Sequence, residues 1–300
     1  MGRTQLKPGG GLAAERGKFI LAVVLYGTIG MCLRWVNLPS ELTAMCRGVI
    51  GAGVILLVQL LRRERPDRGA IRRNLGWLLL SGVCLGLNWI FLFAAYMKTT
   101  VAVASLCNYM APLIVIVVAP LLLRERLDAR KLPCVAAALL GIVLVSGVSE
   151  GAGGEPAGVA LGLAAAGCFV GIVLCNRKLR GIRAMDRAVV QLLVSALTIL
   201  PYVLVHNRST ALSLDLRSAL LVLMLGAVHT GAAYCLYFSG MGSLPVQSVA
   251  ILGYLEPLVS VLCSALLLGE PMGGRTWLGA ALILSAAVVS ECIPAKEAVS

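Results

Sequence analysis

Glu256 stands in the run GYLEPLVSV, residues 253–261, with apolar sequence continuing on both sides. A carboxylate in a stretch able to cross a bilayer must be paired, protonated or used. Even mild insertion scales place an acidic residue at about +2.5–3.5 kcal/mol at the bilayer centre. Asn88, Asn108 and His229 stand in similarly apolar surroundings. A carboxylate and an imidazole at one depth could bind a substrate ammonium, or exchange a proton for it, near physiological pH. Glu256 is expected to carry this role and His229 to modulate it. Each residue also has a structural alternative. The asparagines could hydrogen-bond across helices, His229 could be a satisfied packing residue, and Glu256 could pair with Arg47 and tie two helices together. Arg47 stands only about 8 Å from one end of its helix, so snorkelling outward competes with that pairing.

The elements that position these residues follow from composition. The 300 residues are 59% hydrophobic and 13% charged, with a mean hydropathy of +0.92. Soluble chains carry roughly 45–50% apolar and about 25% charged residues. Ten apolar stretches approach or reach the roughly 17–25 residues that span a bilayer as helices. They are Phe19–Trp35, Leu42–Leu61, Leu75–Tyr96, Val101–Leu123, Leu132–Ser149, Ala157–Cys175, Ala188–Val205, Ala219–Ser239, Val246–Leu268 and Trp277–Cys292. Continuous runs without alternation exclude a β-barrel. The expected fold is an all-α polytopic membrane protein.

A net charge of +12 could suggest a nucleic-acid partner, but its placement argues otherwise. Threading ten helices puts roughly three quarters of the Lys and Arg on the side of both termini, notably in RRERPDRGAIRR, RERLDARK and RKLRGIRAMDR. The opposite side receives Arg34, Lys98, Arg208, Arg217 and Arg275. By the positive-inside rule both termini are cytoplasmic, in the cell (inner) membrane. The ten cysteines are scattered, with no CxxC or His/Cys cluster, so no disulfide framework and no metal are expected. No nucleotide loop or HExxH occurs, and no cofactor is expected.

The chain repeats itself without gaps. Gly86 falls on Gly231, Tyr109 on Tyr254, Pro112 on Pro257, Glu125 on Glu270 and Arg130 on Arg275. About fourteen of some sixty aligned positions are identical. Each half holds five helices, so the second enters the membrane from the opposite side and the two copies are inverted. Alternating access around a midplane site follows from such a pair. The expected units are a tail 1–18, a first repeat 19–149, a linker 150–156, a second repeat 157–292 and a tail 293–300.

Residues shared by both halves serve the common fold. Pro112 and Pro257 interrupt the backbone ladder and let their helices bend, as hinges. Glu125 and Glu270 follow at helix ends, where either capping of the next helix or gating is open. Unshared polar residues need another reason: Asn88 stands opposite Ala233, Asn108 opposite Gly253, His229 opposite Cys84 and Glu256 opposite Ala111. Asn88, His229 and Glu256 each lie roughly 15–20 Å from where their helix begins. Trp89 opposite Tyr234 sets an aromatic at one depth in both halves, and Tyr109 lies at that level. Asn88, Trp89, Asn108, Tyr109, His229, Tyr234 and Glu256 are the expected substrate-binding set.

The segments APLIVIVVAPLLLRERL and EPLVSVLCSALLLGEPM, with AMCRGVIGAGVILL in the second helix, resemble the EamA family of the drug/metabolite transporter superfamily. The resemblance covers nearly the whole chain. It implies a secondary transporter, an exporter of small metabolites such as amino acids or amphipathic organic solutes. The expected partners are a small-molecule substrate, membrane lipids and a proton, with the chain a monomer or homodimer. The rival class is a membrane enzyme acting on a lipid-linked substrate. Paired acids and basic clusters meeting at one interface would favour that rival, and the sequence does not bring them together.

Overall fold

The apolar runs fold as helices. A computed structural model describes residues 10–123, 129–145, 156–206, 215–241, 244 and 246–293, and no strand occurs among them. In chain order the helices are α1 Gly10–Gly27, α2 Ile29–Arg34, α3 Ser40–Leu61, α4 Arg68–Arg73, α5 Leu75–Lys98, α6 Val101–Asn108, α7 Ala111–Leu123 and α8 Leu132–Val145. They continue as α9 Pro156–Lys178, α10 Ala184–His206, α11 Leu216–Gly226, α12 Ala233–Met241, α13 Val246–Gly253, α14 Leu255–Leu262 and α15 Gly274–Cys292. A π turn, Ala227–Ala232, joins α11 to α12, and a second, Cys263–Leu267, extends α14.

Seven stretches are long and apolar enough to cross a membrane: Leu12–Arg34, Ser40–Leu61, Leu75–Lys98, Val101–Val118, Pro156–Lys178, Ala184–Val205 and Leu216–Met241. Three more apolar helices, Leu132–Val145, Leu255–Leu267 and Gly274–Ser290, are shorter. The first helix begins at Gly10, inside the stretch read from sequence as a tail. Its extra turns are held in place, because Glu15 bonds Lys18 at 2.7 Å and accepts from Ser239 Oγ at 3.2 Å on α12. Glu125, the two terminal tails before Gly10 and after Ile293, and most of the linker lie outside the described residues.

The bundle is apolar on its outside and polar within. Leu60, Leu61, Val143, Leu197, Val205, Leu220 and Leu266 are exposed, whereas Thr43, Arg47, Gln59, Asn88, Ser195, His229 and Ser260 are buried. Contiguous exposed apolar surface on this scale is foreign to soluble monomers and suits lipid. Inside, α5 packs on α9 and α10, α10 on α3, α1 on α12 and α14, α6 on α9 and α14, and α8 on α15. Small residues permit the closest approaches. A Cβ built on Gly231 would meet Val54 Cβ at 2.5 Å, and one on Gly86 would meet Ser195 O at 2.9 Å.

Polar contacts gather the loops at two ends. At one, Asp186 accepts from Gln59 Nε2 at 2.7 Å, Asp67 N at 3.2 Å and Arg183 Nε at 2.9 Å, while Asn74 Nδ2 donates to Arg180 O at 2.9 Å. Hydrogen-bonded to that carboxylate, the Arg183 guanidinium is held more firmly protonated than usual. At the other end Glu270 bonds Arg34 Nη2 and the Val101 amide, each at 2.8 Å, and accepts from Ser264 Oγ. Gly269 makes this possible: its φ of +62 turns the chain so that Glu270 faces back onto the bundle. Glu270 therefore anchors the N-terminus of α6, a distant helix, instead of capping α15, which follows it.

Candidate functional site

Both stretches that carry one of the paired prolines, Pro112 and Pro257, are broken. α6 stops at Asn108 and α7 starts at Ala111, while α13 stops at Gly253 and α14 starts at Leu255. Pro112 and Pro257 lie just after these breaks, where a missing N–H leaves the preceding turn open. Across the breaks Tyr109 and Glu256 come close enough to interact, which makes the Tyr109 hydroxyl a partner for the carboxylate.

Arg47 does not supply that partner. From α3 its Nε donates to Thr230 Oγ1 at 2.7 Å, and its guanidinium carbon lies 4.5 Å from the centroid of Trp89 and 5.8 Å from that of Phe93. Arg47 and Glu256 lie within electrostatic reach of each other without a direct ion pair. The helix tie weighed from sequence is thus replaced by two separate attachments. Thr230 sits in the π turn, where its hydroxyl donates to Leu225 O at 3.0 Å and so must accept from Arg47. A π turn frees backbone groups locally and recurs at functional positions.

Tyrosines enclose this pair. Tyr26, Tyr96, Tyr109, Tyr234 and Tyr237 all lie within electrostatic reach of Glu256. Tyr234 meets Tyr26 edge-on at 5.9 Å and Phe238 at 5.7 Å. Phe238 in turn carries Arg187 at 5.5 Å, near the Asp186 end. Toward the Glu270 end the cluster is closed by hydroxyls: Ser105 meets Ser260 at 2.6 Å and Tyr96 at 3.3 Å.

Of the expected set, Trp89, Tyr109, Tyr234 and Glu256 come together around Arg47. Asn88, Asn108 and His229 make their hydrogen bonds to other groups than the carboxylate. Asn88 Nδ2 donates to Asn108 Oδ1 at 2.9 Å and to Ala165 O at 2.8 Å, linking α5, α6 and α9. His229 Nε2 lies 3.0 Å from Thr28 Oγ1, whose own proton goes to Leu25 O at 2.8 Å. His229 thus fastens the π turn between α11 and α12 to the break between α1 and α2. Sequence reading missed Tyr26, Tyr96 and Thr230. A Tyr, Thr or Ser inside an apolar run is too common to signal by itself, and Thr230 gains its role only through the π turn.

This arrangement sets a buried cation and a half-buried carboxylate among aromatic rings. Comparison with known proteins narrows its meaning. The chain is 22% identical over 255 residues to an uncharacterised transporter, YxxF, of Bacillus subtilis, covering 84% of this chain and 81% of that protein. It is 30% identical over 172 residues to a protein of Salmonella typhimurium named a probable amino-acid metabolite efflux pump, covering 54% of this chain and 57% of that one. A solved crystal structure shares the fold with a TM-score of 0.66 at 22% identity, covering 92% of this chain and 97% of that chain. The model of the EamA-like transporter family matches residues 18–147 and again 156–291. The chain is a multi-pass membrane protein and belongs to the EamA-like transporter family.

Proposed function

We propose that this protein is a secondary transporter that exports a small organic solute by alternating access around the Arg47–Glu256 cluster. One observation carries the reading: a buried cation and a half-buried carboxylate, on helices from the two halves of the chain, lie within electrostatic reach of each other among aromatic side chains inside an apolar-surfaced bundle. A protein that only had to stay folded would gain by replacing such groups with apolar ones. The efflux pump of Salmonella typhimurium supports export and amino-acid-like cargo.

Ten crossings in two inverted halves support the mechanism, and the packing is consistent with them. α1 packs on α12 as α9 does on α5, and α14 on α1 as α7 does on α9. Exchange of equivalent contacts between halves is what alternating access requires. On this reading the Asp186 end, rich in arginine, faces the cytoplasm with both termini, and the Glu270 end faces outward. Glu270 on Arg34 and Val101 closes the outer side, while Arg187, Phe238 and Tyr234 form the inner approach. The breaks before Pro112 and Pro257 are the hinges, and a proton exchanged at Glu256 couples the cycle.

A counterflow screen in proteoliposomes tests the function, using amino acids, nucleobases, sugars and lipophilic cations. Saturable exchange of one class supports it, and exchange of none overturns it. Orientation is tested separately by impermeant labelling. A reporter in SEGAGGEP should react from outside and one in RRERPDRGAIRR should not, and the reverse would overturn the topology.

A further inference from the structure

We infer that Arg47 is an oxyanion anchor, and that the solute this protein moves carries a carboxylate held by the free edge of that guanidinium. The inference rests on the transport reading. Arg47 is only 5% exposed. Its Nε is committed to Thr230, and one face is covered by Trp89. Neither Nη makes a hydrogen bond among the described residues. The buried side-chain atoms left without a partner there are Thr43 Oγ1, Gln59 Oε1 and Thr99 Oγ1, so the two Nη groups still touch open space.

A guanidinium pinned at Nε and stacked on an indole can no longer rotate. Its remaining edge presents two parallel N–H groups, the fork that matches a carboxylate. Among the described residues the acid within electrostatic reach of Arg47 is Glu256, and no ion pair joins the two, so Glu256 does not fill the fork. A nearly buried cation without a bound anion is costly. An arriving carboxylate relieves that cost, and release restores it, which suits a site that must load and unload. Glu256 then stands where the cationic end of a zwitterion would lie, with Tyr26 and Tyr234 facing its apolar part. An anchor role differs from a helix tie because a tie would consume the fork within the protein.

The test uses four probes that share a phenyl ring: L-phenylalanine, 3-phenylpropionate, 3-phenylpropionamide and phenethylamine. In counterflow, wild-type protein should favour the two carboxylates over the amide and the amine by about tenfold or more. Arg47→Gln should weaken the carboxylates by about tenfold to a hundredfold, the loss of a charged hydrogen-bonded pair, and leave the amide unchanged. Arg47→Lys, which keeps charge without the fork, should restore part of the preference. Thr230→Val serves as the second variant: it frees Nε and should raise half-saturation for the carboxylates alone. A uniform loss for all four probes, or a preserved preference in Arg47→Gln, would make Arg47 a fold element and overturn the inference. Transport of the amine and amide alone also overturns it while leaving the transport reading intact. A chain that moves no solute, here or in the wider screen, overturns the transport reading and this inference together.

Discussion

The guanidinium of Arg47 lies 4.5 Å from the ring centroid of Trp89, a contact between α3 and α5 made deep inside the bundle. Desolvated cation–π pairs contribute about 2 kcal/mol. Trp89→Phe, which keeps a π-face, should retain most of the stability and transport. Trp89→Leu should lower unfolding stability by about 1–3 kcal/mol and raise half-saturation. Unfolding in detergent, paired with counterflow, measures both. Equal behaviour of the Phe and Leu variants would remove the electrostatic part of the contact.

Glu256 and Tyr109 form the other half of the cluster. Glu256→Gln keeps shape and removes charge, so the variant should insert, fold and still exchange solutes that carry only a carboxylate. It should lose solutes whose ammonium needs a counter-charge, together with the pH dependence of their transport. Tyr109→Phe should keep the carboxylate and cost about 1.5–3 kcal/mol of stability through its lost hydrogen bond. A Gln variant with unchanged selectivity would show that Glu256 does not face the solute.

Gly27 marks where α1 meets α14. A Cβ there would fall 2.6 Å from Glu256 O and 2.7 Å from Val259 Cβ. Gly27→Ala should therefore force α14 away from α1 and cost about 1–3 kcal/mol. Gly53, with nothing within 4 Å of its added Cβ, is the control. Gly53→Ala should be neutral or stabilising by up to about 1 kcal/mol. Thermal midpoints of the two variants should move in different directions, and a drop of equal size in both would show that close packing is not the cause.

Glu270 carries three attachments at the end of the bundle read as external. Glu270→Gln should weaken its pair with Arg34 and open that end more often. Labelling of the buried Cys263 by an impermeant maleimide, mapped by mass, should then become severalfold faster. An unchanged rate would show that the hydroxyl layer of Ser105 and Ser260 seals that end unaided.

The helices were legible because apolar runs of spanning length leave few alternatives. Trp89, Tyr109, Tyr234 and Glu256 were legible as a group because depth along a helix can be counted from its end. Azimuth cannot be counted the same way across a helix break or a π turn, and there the reading departs from the structure. His229 shares a depth with Glu256 but points to Thr28, because the π turn rotates it. Asn88 and Asn108, read from sequence as either lining residues or cross-helix bonds, are joined by one hydrogen bond. Arg47, weighed only as a helix tie or a snorkelling side chain, owes its orientation to Thr230, a residue with no sequence signal.

The bond between Thr230 and Leu225 also sets the register of everything after it. A π turn holds one residue more than an α turn, so resolving it would rotate α12 by about 100° about its axis. Tyr234, Tyr237 and Phe238 would swing together, as one face of a cam, and Arg47 would lose its acceptor in the same step. One hydroxyl thus joins the π turn to Arg47, so that on the transport reading a turn of the aromatic wall would be felt at the guanidinium.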